Sequence, residues 1–132
     1  EGISSPHIII AVDELLDLLS AEGRSRGGGL TVEQALTRLA QRGREAGLHL
    51  VAGVQKPAAS AIGPMLKANF PVRIVGKVGS VEDARVAAGI SGTGAEKLLG
   101  RGDFVIVAAG QTLRFQAAWV PAQDWALIAA GL

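Results

Sequence analysis

The spacing of apolar and polar positions divides the chain into short segments with strand-like and helix-like patterns. Ile8–Val12 and Leu48–Val54 are apolar without alternation, which predicts strands buried on both faces of a parallel sheet. The clearest helix pattern covers Thr31–Ala46, where apolar residues recur every three or four positions in one stripe. Thr31 followed by Gln34 predicts a capping box at the start of this helix.

The other segments complete an alternating order of strands and helices. Further strands are predicted at Val72–Val78, Asp103–Ala109 and Leu113–Val120, with a hairpin at AGQT between the last two. Further helices are predicted at Glu14–Ala21, Ile62–Ala68, Ser80–Ala88, Ala95–Leu99 and Pro121–Ala130. Strands that are separated by a dozen or more residues containing helices imply right-handed parallel crossovers. The sequence therefore predicts an α/β fold, with a mostly parallel sheet flanked by helices and a C-terminal β-hairpin.

Length and composition limit the classes of function. The 132 residues predict a single domain over residues 1–132, large enough to bury a core without a metal or disulfide. The chain has no cysteine and only two histidines, too few for a convincing metal cluster. A net charge of +1 gives no overall basic field, so any contact with DNA must come from local loops or from an assembly. No apolar run approaches the roughly 20 residues that a membrane span needs.

Polar residues follow two of the predicted strands at the edge where open parallel sheets bind ligands. Asp13 and Glu14 come directly after the first strand, and Gln55 ends the second. A carboxylate at this edge can bind Mg²⁺ through water, and its neighbour can orient or deprotonate an attacking water. A neutral amide there can sense a γ-phosphate. The alternative is structural, since carboxylates also favour the positive end of a helix.

A phosphate-binding loop is missing from the sequence. The pattern G-x-x-x-x-G-K-S/T does not occur, and Gly76-Lys77 lies within a strand pattern with Val78 after it. Without this loop and its lysine, we do not expect tight binding of Mg·ATP by this chain alone.

Four ordered segments resemble the FtsK/SpoIIIE family of DNA translocases. IIIAVDELLDLL (8–19) resembles the family's Walker B strand and following helix, and LTRLAQRGREAGLHLVAGVQKP (36–57) its T-Q-R-P segment. IGPMLKANFPVRIVGKVGSVEDAR (62–85) resembles the stretch I-K-A-N-x-P-x-R-I with the S-x-x-D-S-R that follows. GAEKLLGRGDFVIV (94–107) resembles G-A-E-x-L-L-G-x-G-D-M. The resemblance covers about residues 6–128.

The resemblance implies the C-terminal half of a RecA-like (P-loop NTPase) motor domain, with the Walker A half preceding residue 1. Family members form hexameric rings, hydrolyse ATP between subunits and pump double-stranded DNA through the channel. The implied cofactors are ATP and Mg²⁺, available only with the missing half. The implied location is the cytoplasm, and a membrane tether, common in the family, would reside outside these residues.

The family pattern also implies roles for single residues. Asp13 matches the magnesium-side carboxylate, Glu14 the catalytic one and Gln55 the polar sensor. Arg44 and Arg73 match arginines of the pattern, and either could reach a neighbouring subunit's phosphates. The sequence does not choose between them, and both could instead form surface or interface salt bridges.

Candidate DNA contacts lie in two places. Lys56 and Lys67 flank a segment that resembles a channel-facing loop, while Arg24 and Arg26 lie in a glycine-rich loop at 22–31 that is longer than expected for the family. Arginines there could touch the phosphate backbone without sequence preference, or the loop could simply be solvated. The sequence departs from the family at Val54, Lys56 and Ala84, where Thr, Arg and Ser are usual.

Two further interpretations stay open: a truncated, non-catalytic paralogue serving in oligomer or DNA contacts, or another RecA-like motor of conjugation or secretion. His49, inside the second strand, is expected to be a core histidine. Trp119 and Trp125 are expected to pack in the core or an interface.

Overall fold

The structure is a computed structural model that describes residues 6–21, 29–56 and 64–131. Most of the predicted segments form short strands or helices. The chain divides after Pro71 into two compact units, each with its own hydrophobic cluster. The single domain over residues 1–132 stays a prediction, because length alone does not decide how many clusters a chain forms.

The first unit is built on two parallel strands, β1 (Ile8–Val12) and β2 (Leu48–Ala52), paired in register from Ile8 opposite Leu48 to Val12 opposite Ala52. Its helices are α1 (Leu15–Ser20), α2 (Val32–Arg42) and α3 (Pro64–Ala68), with a 3₁₀ turn at Gly43–Ala46. The parallel crossover from β1 to β2 is as predicted.

The predicted capping box of α2 is present. The Thr31 hydroxyl oxygen accepts from the backbone N–H of Gln34 at 3.1 Å, and the Gln34 side-chain oxygen accepts from the backbone N–H of Thr31 at 3.1 Å. Two amide groups that the helix leaves unpaired are thereby satisfied.

The core of the first unit lies on one face of the β1–β2 pair. Leu15 and Leu36 are buried there, with Val12 and Leu50 packed against them. Side chains on the other face are exposed, including Ile9 and Val51 at 70% and 57%. The prediction of strands buried on both faces was therefore wrong for this chain. The buried cluster takes side chains from one face only, because successive residues of a strand point to opposite sides.

The second unit contains an antiparallel sheet of order β3 (Val72–Val75), β4 (Asp103–Ala108) and β5 (Gln111–Gln116). Its helices are α4 (Val81–Ala88) and α5 (Ala122–Ala129), with a 3₁₀ turn at Ala95–Lys97. The α/β class and the C-terminal hairpin are as predicted, but the expected parallel pairing of the third strand is wrong. β3 pairs antiparallel with β4, from Val72 opposite Ala108 to Val75 opposite Val105.

Alternate residues of β3 and β4 form the core of the second unit. Val75, Val105 and Val107 are buried against α4 and the turn after it, with Ala84, Ala88, Ala95 and Leu98. The Ser80 hydroxyl caps α4 by accepting from the backbone N–H of Asp83 at 3.0 Å, as predicted. The hairpin turn consists of Ala109 and Gly110, which both have positive φ, and β5 begins two residues earlier than predicted.

The C-terminal segment is exposed. α5 has no buried residue, and Trp119 and Trp125 are 88% and 59% exposed. The expectation that these tryptophans pack in the core was wrong, and their place in an interface stays a prediction.

Among the helices of residues 6–21, 29–56 and 64–131, none is both long and apolar enough to cross a membrane.

Candidate functional site

The ends of β1 and β2 are joined by backbone hydrogen bonds at the carboxyl edge of the pair. The N–H of Gly53 donates to the carbonyl of Val12 at 2.8 Å, and the N–H of Leu15 donates to the carbonyl of Gly53 at 2.9 Å. The residues that follow the two strands are therefore held beside each other. The sequence placed Asp13, Glu14 and Gln55 at this edge, and the structure places all three there.

The Glu14 carboxylate is held by two backbone amides. Its Oε1 accepts from the N–H of Leu16 at 3.1 Å, which makes Glu14 the N-cap of α1. Its Oε2 accepts from the N–H of Gln55 at 3.0 Å, across from the end of β2. Each carboxylate oxygen has a second lone pair. Glu14 is thus fixed in orientation and can still accept a proton or a hydrogen bond from a water.

Asp13 directly precedes Glu14, and Gln55 follows β2. Both side chains are exposed. The Asp13 carboxylate has no hydrogen bond or ion pair to any residue that the structure describes. An exposed, unpaired carboxylate suits Mg²⁺, which usually takes one or two carboxylates together with waters and substrate phosphates. A closed metal site made by protein groups alone is absent from the described residues.

Gly53 is a part of the site that the sequence reasoning missed. A Cβ at this position would overlap the carbonyl oxygen of Asp13. Only glycine lets the chain leaving β2 come this close to the chain leaving β1. The signal in the sequence is a glycine directly after an apolar strand, in LVAGVQ.

The two candidate arginines have different surroundings. The half-buried guanidinium of Arg73 lies where a Cβ on Gly89 would be, so it sits against the C-terminal end of α4. This is the end of a helix that favours a cation. Arg44 lies in the turn Gly43–Ala46, and its side chain is outside the described part of the structure.

The candidate DNA contacts are described only in part. Lys56 is exposed and follows Gln55 at the candidate site, whereas Lys67 is half-buried in the last turn of α3. Arg24 and Arg26 lie outside the described residues. The structure therefore places one exposed cation of this set next to the strand ends.

His49 is not a core residue. It is exposed on β2, and its Nε2 lies 2.8 Å from Nδ1 of His7, with the two rings stacked at 5.1 Å between centroids. One ring nitrogen must donate and the other accept in this pair. The sequence reasoning missed the pair because His7 precedes the strand and the β1–β2 register was unknown.

The second unit contains an ion pair that the sequence reasoning also missed. Arg114 donates to both oxygens of the buried Asp103 carboxylate, at 2.8 and 2.6 Å, and the N–H of Leu99 donates to Oδ2 at 2.7 Å. The hydrogen bonds from Arg114, then that from Leu99, lower the pKa of Asp103 to about 2. The pair joins β4 to β5 and fixes the turn before β4.

Comparison with solved structures defines the class of protein. The chain is 27% identical to the conjugation coupling protein TcpA of pCW3, in its monomer form with ATPγS, with a TM-score of 0.72. That match covers 89% of this chain and 34% of TcpA. The cytoplasmic domain of the Thermomonospora curvata type VII secretion ATPase EccC gives 26% identity and a TM-score of 0.71, over 89% of this chain and 13% of EccC. The chain has part of the RecA-like fold of P-loop ATPase motor domains.

Sequence relatives define the family. The FtsK/SpoIIIE family model matches residues 2–59. The DNA translocase FtsK of Sporosarcina ureae is 41% identical over 90% of this chain, and the DNA translocase SpoIIIE of Bacillus subtilis is 41% identical over 87%. This chain belongs to the FtsK/SpoIIIE family, as its motifs indicated. It spans only 14% of the length of each of these two relatives.

Proposed function

We propose that this chain is the C-terminal half of an ATP-driven translocase of double-stranded DNA. The observation that carries the proposal is the Glu14 carboxylate, held by two backbone amides at the carboxyl edge of β1 and β2. The exposed Asp13 carboxylate beside it supports the same function. Membership of a family whose relatives are DNA translocases supports duplex DNA as the proposed substrate and partner.

In this proposal the residues of the site divide the work of ATP hydrolysis. Asp13 would hold Mg²⁺, which would supply positive charge against the phosphates of a bound nucleotide. Glu14 orients the attacking water and accepts its proton, while Gln55 senses the γ-phosphate. Arg44 or Arg73 reaches the phosphates held by a neighbouring subunit. The phosphate-binding loop belongs to a segment of the longer protein that precedes Glu1.

The longer protein assembles as a hexameric ring in the cytoplasm and moves duplex DNA through its channel. Lys56 and Lys67, with Arg24 and Arg26, contact the DNA backbone there. Such contacts provide affinity without reading sequence.

A second candidate is a non-catalytic module of the same fold, used for oligomer or DNA contacts. One observation favours it: both Glu14 oxygens already accept backbone hydrogen bonds, and an N-cap role alone would account for the first of them. A third candidate, a conjugation or secretion motor, is favoured by the likeness to TcpA and EccC.

ATP turnover in a protein extended upstream to include a phosphate-binding loop tests the first proposal. We expect Glu14→Gln to lower the DNA-stimulated rate by about 10²- to 10⁴-fold, the usual worth of a general base, while nucleotide still binds. Asp17→Asn, at an exposed carboxylate on α1, is the matched control and should leave the rate unchanged. The isolated chain should show no turnover above background. An unchanged rate in Glu14→Gln would show that the role given to Glu14 is wrong.

A further inference from the structure

The turn before β4 has an unusual backbone. Three consecutive residues have positive φ: Gly100 at 78°, Arg101 at 55° and Gly102 at 87°. Two of them are glycines, which adopt this conformation freely, but Arg101 carries a side chain that disfavours it. Non-glycine residues in such a backbone conformation are found more often at functional sites, so the Arg101 side chain is a candidate for a binding role.

The protein holds this turn, residues 100–102, through all three of its carbonyl groups. The carbonyl of Gly100 accepts from the N–H of Asp103 at 3.2 Å, and that of Arg101 accepts from the side-chain amide of Gln116 at 2.8 Å. The carbonyl of Gly102 accepts from the N–H of Ala117 at 2.7 Å. The turn is therefore anchored to both β4 and the end of β5.

The donors of the same turn are unused. Within the described residues, the backbone N–H groups of Gly100, Arg101 and Gly102 donate to no acceptor. The Arg101 side chain is exposed and forms no ion pair with any described residue. With its carbonyls engaged by the protein and its amides without an acceptor, the turn has hydrogen-bond donors available to a ligand.

The nearest carboxylate in sequence does not oppose an anion here. Asp103 follows the turn directly, but its charge is paired with Arg114 through two hydrogen bonds. Successive unengaged amides in a turn bind anions, and a guanidinium adds charge and further donors. The turn therefore matches a group that bears negative oxygens.

We propose that the turn 100–102 binds a backbone phosphate of duplex DNA, with Arg101 as the charged contact and the backbone amides as positioning donors. This inference rests on the proposed function, which brings duplex DNA to the chain. Arginine side chains and backbone N–H groups are the usual donors to DNA phosphates. The contact is independent of base sequence, as a translocase that passes over all sequences requires.

The test is a titration of a fluorescein-labelled duplex with the full chain at several salt concentrations. Arg101→Asn removes the charge and keeps a residue that tolerates positive φ, so the variant should fold. We expect its affinity at low salt to fall about three- to tenfold, as for loss of an exposed charge-assisted contact. The slope of log K against log salt should decrease by about one. Arg38→Asn, at an exposed arginine of α2, is the matched control and should change neither.

Amide NMR spectra of the wild-type chain locate the contact directly. Adding the unlabelled duplex should shift the N–H resonances of Gly100, Arg101 and Gly102, and these shifts should shrink in Arg101→Asn. Polyglutamate and ATP are added in parallel samples. A response of these amides to either competitor but not to the duplex would assign the turn to an acidic protein or a nucleotide and overturn the proposal.

The remaining outcomes of the titration also decide whether the turn 100–102 contacts DNA. Equal affinities and salt slopes for Arg101→Asn and Arg38→Asn overturn the inference, as does a wild-type chain that binds no duplex. If Lys56→Gln weakens binding and Arg101→Asn does not, the proposed function stands and only this contact is wrong. ATP turnover in the longer protein tests the proposed function separately, because it depends on Glu14 and not on Arg101.

Discussion

The backbone N–H of Gln55 donates to the Glu14 carboxylate at 3.0 Å, which ties the end of β2 to the start of α1. Glu14→Gln replaces one carboxylate oxygen by an NH₂ group. Leu16 and Gln55 donate to different oxygens of Glu14, so the new NH₂ group would face one of these backbone donors, which loses its acceptor. We expect the variant to be about 1–2 kcal/mol less stable, which urea unfolding of the isolated chain measures.

Asp17→Asn is the control for this change, because Asp17 is exposed on the same helix. Equal stability of Glu14→Gln and the wild type would show that the two hydrogen bonds contribute nothing. The measurement also separates fold from chemistry. A loss of ATP turnover much larger than the loss of folded protein belongs to the reaction.

Gly53 brings the ends of the two parallel strands together. A Cβ there would overlap the carbonyl oxygen of Asp13, so Gly53→Ala must push the two chains apart. We expect a loss of stability of at least about 2 kcal/mol, the range of backbone clashes that cannot relax. The control is Gly29→Ala, because nothing lies within 4 Å of a Cβ at Gly29. A thermal unfolding midpoint that falls equally in both variants would contradict the expected clash.

Local features of this fold were predictable from the sequence. The capping box needs only Thr31 and Gln34, three residues apart, and the hairpin needs only a glycine between two apolar runs. Asp13, Glu14 and Gln55 could be placed at one edge because parallel strands present their carboxyl ends together. In each case the decisive interaction is close in sequence or follows from strand direction.

Features that depend on the exact register between paired strands could not be predicted. The pairing of His7 with His49 requires the offset of β1 against β2, and that of Asp103 with Arg114 requires the offset of β4 against β5. The predicted parallel pairing of β3 was also wrong, because an apolar run such as Val72–Val75 is compatible with either strand direction. The exposure of Ile9 and Val51 has the same origin, since apolar residues alone do not say which face is covered.

The Asp103–Arg114 pair predicts how stability depends on pH. The folded-state pKa of Asp103, about 2, lies below its ordinary value of 3.8, so the unfolded chain binds the proton more readily. The stabilising contribution is fully present above about pH 4 and is lost as the pH falls towards 2. We expect the thermal unfolding midpoint to drop across this interval.

Asp103→Asn should weaken that dependence, because the amide does not titrate in this range. Glu82→Gln is the control. The pKa of Glu82 is also lowered from its ordinary value, chiefly by a hydrogen bond from Arg85, but this pair is exposed on α4. Exposed pairs contribute little to stability. A pH profile that Glu82→Gln alters more than Asp103→Asn would contradict the importance given to the buried carboxylate.

The β4–β5 turn stores strain that a substitution can remove. Ala109 has φ of 50° and Gly110 has φ of 75°, the combination of the two-residue hairpin turn in which asparagine commonly precedes glycine. Asparagine adopts positive φ at lower cost than alanine. We therefore expect Ala109→Asn to raise the free energy of unfolding by about 0.5–1 kcal/mol, measured with urea.

Ala118→Asn is the control, because Ala118 is exposed and does not have positive φ, and this change should give no gain in stability. If Ala109→Asn and Ala118→Asn behave alike, the turn carries no strain. The strain attributed to Arg101 at 55° would then also be in doubt, because the two φ values differ by little.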